Sequence, residues 1–191
     1  MQIIESEGKR IICSADRSEW RGWLEENFRT EEDIWLAIPK SGEGEINYND
    51  AVEEALCFGW IDSVTGHLEG YSITKRFTPR RKGSTYSRPN IERLIWLDTH
   101  DMIHPDIRPQ VVDLTTAEYV YPKDIIRKLK KDEEVWKNFQ SFTEPYKRIR
   151  VAYIDAARKR PDEFKKRLDN FIAQTKKGKI IGGYGGIEKY Y

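Results

Sequence analysis

Fixed positive charge is concentrated in one short stretch of this sequence. Lys75, Arg76, Arg80, Arg81, Lys82 and Arg88 follow one another closely, and no Asp or Glu occurs between positions 70 and 91. Cations without a local carboxylate need an anion from elsewhere, either from another part of the chain or from a ligand. Arg offers a rigid donor fork that matches carboxylate or phosphate, and a helix opening at Ser87 would add free backbone N–H groups. The run Cys57-Phe58-Gly59-Trp60-Ile61-Asp62 lies just upstream, and Tyr86-Ser87-Arg88-Pro89-Asn90 closes the stretch. The candidate ligand-binding set is therefore Trp60, Asp62, Arg76, Thr78, Arg80, Arg81, Ser87 and Asn90, and its chemistry is that of an anion site. A structural reading competes with it. Arg76 or Arg80 can pair with Asp62 or with the acidic N-terminal half, and Trp60 can be a core aromatic rather than a stacking platform.

Other chemistry finds little support in the residue patterns. There is no phosphate-binding loop of the Walker type, no dinucleotide fingerprint, no metalloprotease helix and no nucleophile elbow. No cofactor and no metal are expected. His100 and His104 are four apart, but Pro105 should end the helix that would align them, and His67 is remote in sequence. Cys57 should sit at a helix C-terminus, where the dipole disfavours a thiolate, so a buried inert thiol is expected. Two cysteines are too few for a disulfide framework, residues 1–10 lack the apolar core of a secretory signal, and no run approaches the roughly 18 apolar residues of a membrane helix. The expected location is cytoplasmic.

Hydrophobic spacing supplies the scaffold. Ile3, Ile4, Ile11 and Ile12 flank Gly8-Lys9 as a strand pair or as a strand with a turn there. Ser14 or Asp16 can cap a helix that carries Trp20, Trp23, Leu24 and Phe28 on one face, with Glu19 three residues after Asp16 in a near capping-box arrangement. Ile34–Ile38 reads as a buried strand ended by Pro39 and a turn at residues 41–44. Asn47 or Asn49 caps a helix carrying Ala51, Val52, Ala55 and Leu56 that stops at Gly59. A β-hairpin is expected between Ile61 and Thr78, then a helix after Ser87 with Pro89 in its first turn. Leu114–Pro122 reads as a connector. Four short helices follow, opened by Pro122, Glu133, Tyr146 and Pro161, and the tail from Ile180 to Tyr191, with its run Gly182-Gly183-Tyr184-Gly185-Gly186 and closing Ile187, either docks on the core or is disordered. The fold class is α+β: a small sheet with packed helices over residues 1–115, then a helical subdomain over 116–191.

The net charge of +1 hides an imbalance between the ends. Residues 1–60 carry 6 Lys and Arg against 14 Asp and Glu, whereas residues 121–180 carry 18 against 9. Attraction between two solvated faces is one reading of this, and a basic half that meets an acidic partner such as nucleic acid is the other.

The stretches Glu54–Asp62, Arg76-Phe77-Thr78-Pro79-Arg80-Arg81 and Ser87-x-x-Asn90 with Glu92-Arg93 resemble the YdeI/OmpD-associated, or bacteriocin-protection, family. The resemblance extends over most of the chain, and Phe139, Tyr146, Arg148 to Tyr153 and Arg167 follow the family's order in the C-terminal helices. Tyr86 stands where members often have Trp. The resemblance implies tolerance of cationic antimicrobial peptides and envelope stress, and it brings no catalytic residues.

Three readings of function follow. The first is a non-enzymatic stress-tolerance protein binding an anionic small molecule, a lipid head group or an acidic protein segment. The second is a nucleic-acid binder in which Trp60, Phe77 or Tyr86 stacks on bases. The third is an enzyme on a phosphorylated or carboxylated substrate, with Asp62 or His67 as acid or base.

Overall fold

The computed structural model describes residues 1–39, 44–183 and 188–190. The chain divides into two compact units, one of residues 1–85 with 94–114 and one of residues 86–93 with 115–191.

The first unit is built on a five-stranded sheet in the order β1-β2-β3-β5-β4, formed by β1 (Gln2–Ser6), β2 (Lys9–Cys13), β3 (Ile34–Ile38), β4 (Trp60–Gly66) and β5 (Ile73–Pro79). The β1–β2 hairpin turns through Glu7 and Gly8, both at positive φ (51° and 71°), the signature of a tight hairpin turn matching strand twist. β2 and β3 are parallel, which obliges the chain to cross over through α1 (Arg17–Asn27); every other pairing is antiparallel. Asp16 caps α1 in a complete capping box with Glu19, and Asn47 caps α2 (Tyr48–Cys57). Each cap is one of the two residues that the pattern allows.

Strand alternation sorts the two faces of the sheet. Ile12, Ile34, Leu36, Trp60 and Phe77 are essentially fully buried, with Trp20 packed 5.2 Å from Phe77 and Trp23 edge-on to Trp60 at 5.8 Å. The opposite face carries a smaller cluster of Ile11, Cys13, Trp35 and Ala37 against Ile4, Leu68 and Tyr71. α1 is fastened to α2 by charge as well as by packing: buried Glu54 accepts from Arg17 Nε at 2.5 Å and Arg21 Nη1 at 2.7 Å. Residues 108–116 form a further helix, α4 (Arg108–Thr116), where a connector from Leu114 is expected. Its apolar residues are few, with Val111 the only one fully buried, so periodicity gives little sign of it.

α3 (Arg88–Thr99) contributes its first turns to the second unit and the rest to the first. The second unit then comprises α5 (Lys123–Leu129), α6 (Glu133–Ser141), α7 (Glu144–Asp155) and α8 (Pro161–Lys176). Their buried stripes meet in one core of Ile125, Leu129, Val135, Phe139, Tyr146, Val151, Ile154, Leu168 and Phe171. α8 ends before Gly178, whose φ of 64° fits the left-handed position past a helix end. The tail is held at its start, where Ile181 N donates to Tyr146 Oη at 3.0 Å and Arg150 donates to the Ile181 and Gly182 carbonyls. Residues 40–43, 184–187 and 191, and with them part of the expected turn and tail, lie outside the described residues.

Candidate functional site

The cationic stretch singled out by sequence is largely occupied by its own chain. Arg76 pairs with Asp33, its Nε at 2.9 Å. Lys75 lies 3.5 Å from Asp62, which also accepts from Tyr48 Oη at 2.8 Å. Arg88 pairs with Glu92, Nε to Oε1 at 2.6 Å. Arg80 donates from its backbone to Gly59 O at 2.9 Å and from its guanidinium to Thr85 O at 2.8 Å. Arg81 and Lys82 are exposed and make no ion pair among the described residues.

The eight candidate positions are also dispersed. Asp62 is paired in register with Phe77, so Asp62 and Trp60 share one face of the sheet while Arg76 and Thr78 point to the other. Ser87 and Asn90 belong to the second unit, where Ser87 O accepts the amide of Ile91 and Asn90 Oδ1 accepts from Arg93. Trp60 takes the place of a core aromatic rather than that of a stacking platform. It is 1% exposed, and its indole Nε1 donates to Phe28 O at 3.1 Å, so both its faces and its polar atom are committed to the core. Phe77, at 0%, is equally inaccessible. His104 packs against Phe28 and Phe58, and His100 stacks on Trp96 after α3 has ended at Thr99. Burial, with the Glu54 carboxylate adding to it, pushes the Cys57 thiol up to about 12, as expected for an inert cysteine.

A more coherent site lies in the second unit. A cleft of about 620 Å³ is lined by Tyr121, Lys123, Ile126, Arg127, Lys130, Trp136, Phe139, Gln140 and Lys147. Three local facts assemble it. α5 buries Ile125 and Leu129, so Lys123, Arg127, Ile126 and Lys130, at three- and four-residue spacing, occupy its other side. Asp132 caps α6 by accepting from Glu134 N and Val135 N at 3.1 Å, and this fixes Trp136 and Phe139 one turn in, with rings stacked at 5.5 Å and 22°. Tyr121 meets Phe139 edge-on at 6.1 Å. Lys147, one turn into α7, brings its Nζ 5.6 Å above the Phe139 ring, and Lys130 Nζ stands 4.8 Å over Trp136.

The electrostatics of the cleft are one-sided. Its lining holds four cations and no carboxylate. Two nearby acids are engaged elsewhere, Asp124 with Arg158 at 2.8 and 2.9 Å and Asp132 with Lys176 at 2.6 Å, while Glu144 pairs with the lining Lys147 at 2.6 Å. Arg158 holds the Asp124 carboxyl down to about 2. Lys123 and Arg127 are exposed and make no ion pair among the described residues. Such a cleft can take an apolar or flat group on its ring floor and an acid on its rim. No helix among the described residues is long and apolar enough to cross a membrane.

Two family models match the sequence. Residues 12–109 match Domain of unknown function (DUF8412), and residues 118–178 match Bacteriocin-protection, YdeI or OmpD-Associated. The first match spans just over half of the chain, which belongs to that family, and the second is a similarity confined to residues 118–178. No curated protein and no solved structure matches it. The bacteriocin-protection match contains Phe139, Tyr146, Arg148 to Tyr153 and Arg167, and it contains every residue that lines the cleft. The motifs at 54–62, 76–81 and 87–93 lie instead in the span of the other family. Cleft residues are hard to single out by sequence, because Trp136, Phe139 and Ile126 also satisfy the spacing of a buried helix stripe. The usable signal is the basic excess of residues 121–180, read as a surface rather than as solvation.

Proposed function

We propose that this is a protein of bacteriocin-protection type that acts by binding rather than catalysis, and that it holds an anionic small molecule with an apolar body in the Tyr121–Lys147 cleft. One observation carries the reading: an aromatic floor of Tyr121, Trp136 and Phe139 is ringed by four cations with no acid in the lining. Positive potential in a cleft with apolar walls raises the local concentration of anions, and the rings supply the contact area that gives affinity. Cytoplasmic residence belongs to the same proposal, and Cys13 and Cys57 as buried free thiols fit a reducing compartment.

The test is a fluorescence titration of the full chain with anilinonaphthalene sulfonate, which is anionic, and with the neutral N-phenylnaphthylamine. Wild type should bind the anionic probe more tightly, and added salt should weaken that preference. The double variant Arg127→Glu/Lys130→Glu alters two exposed rim residues and should lose about tenfold or more in affinity for the anion while keeping the neutral probe. Equal binding of both probes, or indifference to the double variant, overturns the reading. Stronger binding of a short oligothymidylate with a steep salt dependence would instead favour a nucleic-acid partner.

A further inference from the structure

Lys147 and Tyr121 converge on a single carboxylate that belongs to the chain itself. Glu144 receives Lys147 Nζ on Oε1 at 2.6 Å and Tyr121 Oη on Oε2 at 3.0 Å, while Arg148 Nη1 stands 3.8 Å from Oε2. Lys147 and Tyr121 line the cleft, whereas Glu144 does not. The two donors differ from Glu144 in mobility. The Lys147 side chain is 11% exposed and its stem is packed, but the Glu144 side chain is 57% exposed at the first position of α7. Glu144 can therefore rotate into water by side-chain torsions alone, stay ionised and leave its two donors in place at the cleft.

Resting on the cleft as binding site, we infer that its ligand is a carboxylate, and that Glu144 occupies the place the ligand's carboxylate takes. The donor pattern argues for this anion. One ammonium and one phenol each address a different oxygen of one planar group, which a two-oxygen anion satisfies fully. A phosphate dianion would leave an oxygen and a charge unmatched and is better served by guanidinium forks. Glu144 is thus an internal competitor that sets a threshold for binding. It selects ligands whose apolar body reaches the Trp136–Phe139 floor, because a bare carboxylate such as acetate gains nothing that Glu144 does not already supply. Lys147 is the residue that reads the anion, and Tyr121 orients it.

The experiment is calorimetric titration at pH 7 with indole-3-acetate and its neutral analogue indole-3-acetamide, on wild type, Glu144→Gln, Lys147→Met and Arg127→Glu/Lys130→Glu. Circular dichroism establishes that each variant is folded. Glu144→Gln should tighten indole-3-acetate by up to about fivefold, the upper end of what removing one exposed ion pair gives, and leave the acetamide unchanged. Lys147→Met should weaken the preference for indole-3-acetate over indole-3-acetamide, leaving what the other three cations supply. Unchanged or weaker binding of indole-3-acetate by Glu144→Gln would overturn the inference, since Glu144 would then be holding Lys147 in position rather than competing for it. If the rim variant weakens indole-3-acetate but Glu144→Gln does not tighten it, the inference alone fails. If nothing binds, or the rim variant is without effect, the cleft reading fails with it.

Discussion

Glu92→Gln should destabilise the C-terminal unit more than any surface change in it. Glu92 is buried, its side chain 1% exposed, and its carboxylate is gripped from two sides. Arg148 donates Nε to Oε1 and Nη2 to Oε2, both at 2.7 Å, and Arg88 donates Nε to Oε1 at 2.6 Å. Removing one member of a buried ion pair costs about 3–5 kcal/mol, chiefly because the other charge is stranded. Two features lower that figure here. The amide keeps one acceptor oxygen, and the Arg88 and Arg148 side chains are 11% and 18% exposed, so water reaches both guanidinia. About 2 kcal/mol remains, which for a unit of this size is a fall in Tm of about 8–16 °C. Trp136 is the only tryptophan of that unit, so its fluorescence follows the unit's unfolding in urea or heat against the five tryptophans of the other. Replacing Glu92, Arg88 and Arg148 together by Leu and Met should recover most of the loss, because no stranded charge is then left. A Tm within about 2 °C of wild type for Glu92→Gln would refute the reasoning.

Three further outcomes follow from the packing and the charges. Neither cysteine should react with an aromatic disulfide reagent at pH 8 in the native protein, and both should react in denaturant, because burial raises both thiols, Cys57 to about 12. Gly66→Ala should cost about 1–3 kcal/mol, measured by urea unfolding, since a Cβ there would stand 2.7 Å from Thr74 Oγ1 and 2.8 Å from the Trp35 ring. Acid should destabilise the C-terminal unit progressively below about pH 4.5: Lys147 holds Glu144, Arg158 holds Asp124 and Lys176 holds Asp132 below the usual carboxylate range. The unfolded chain then binds more protons than the folded one across that window, so stability present above the unfolded pKa is lost as pH falls through the folded values, the lowest near 2. A Trp136-monitored melt at pH 5 and pH 3 reads the difference.

Much of the scaffold is legible in the residues because local and global preferences agree. Asp16 with Glu19 and Asn47 announce their helices by capping chemistry, and Ile34–Ile38 announces a strand by its unbroken apolar run. α4 is not legible, since its apolar residues are too few and too dispersed for a periodic signal. The site is the poorer reading for a different reason. Local charge counting makes the Lys75–Arg88 stretch look unneutralised, but its counter-ions come from far along the chain: Asp33 reaches Arg76 across paired strands, and Asp62 reaches Lys75 within the hairpin. A one-dimensional count cannot see a partner brought in by sheet register. Conversely, Lys123, Arg127 and Lys130 are interleaved with Asp124 and Asp132, which the sequence suggests as neutralising neighbours. In the fold those acids serve Arg158 and Lys176 instead, and the rim of the cleft is left basic.

The most direct test of the central claim is to map where an anion with an apolar body binds, by following backbone and indole amide resonances of the isotopically labelled full chain during titration with indole-3-acetate. The account predicts saturable shifts gathered on Tyr121, Ile126, Lys130, the Trp136 indole and Lys147, with the Arg81-Lys82 loop unmoved. Shifts centred on Arg81 and Lys82, with the Trp136 indole silent, would contradict it and return the site to the cationic stretch of the first unit.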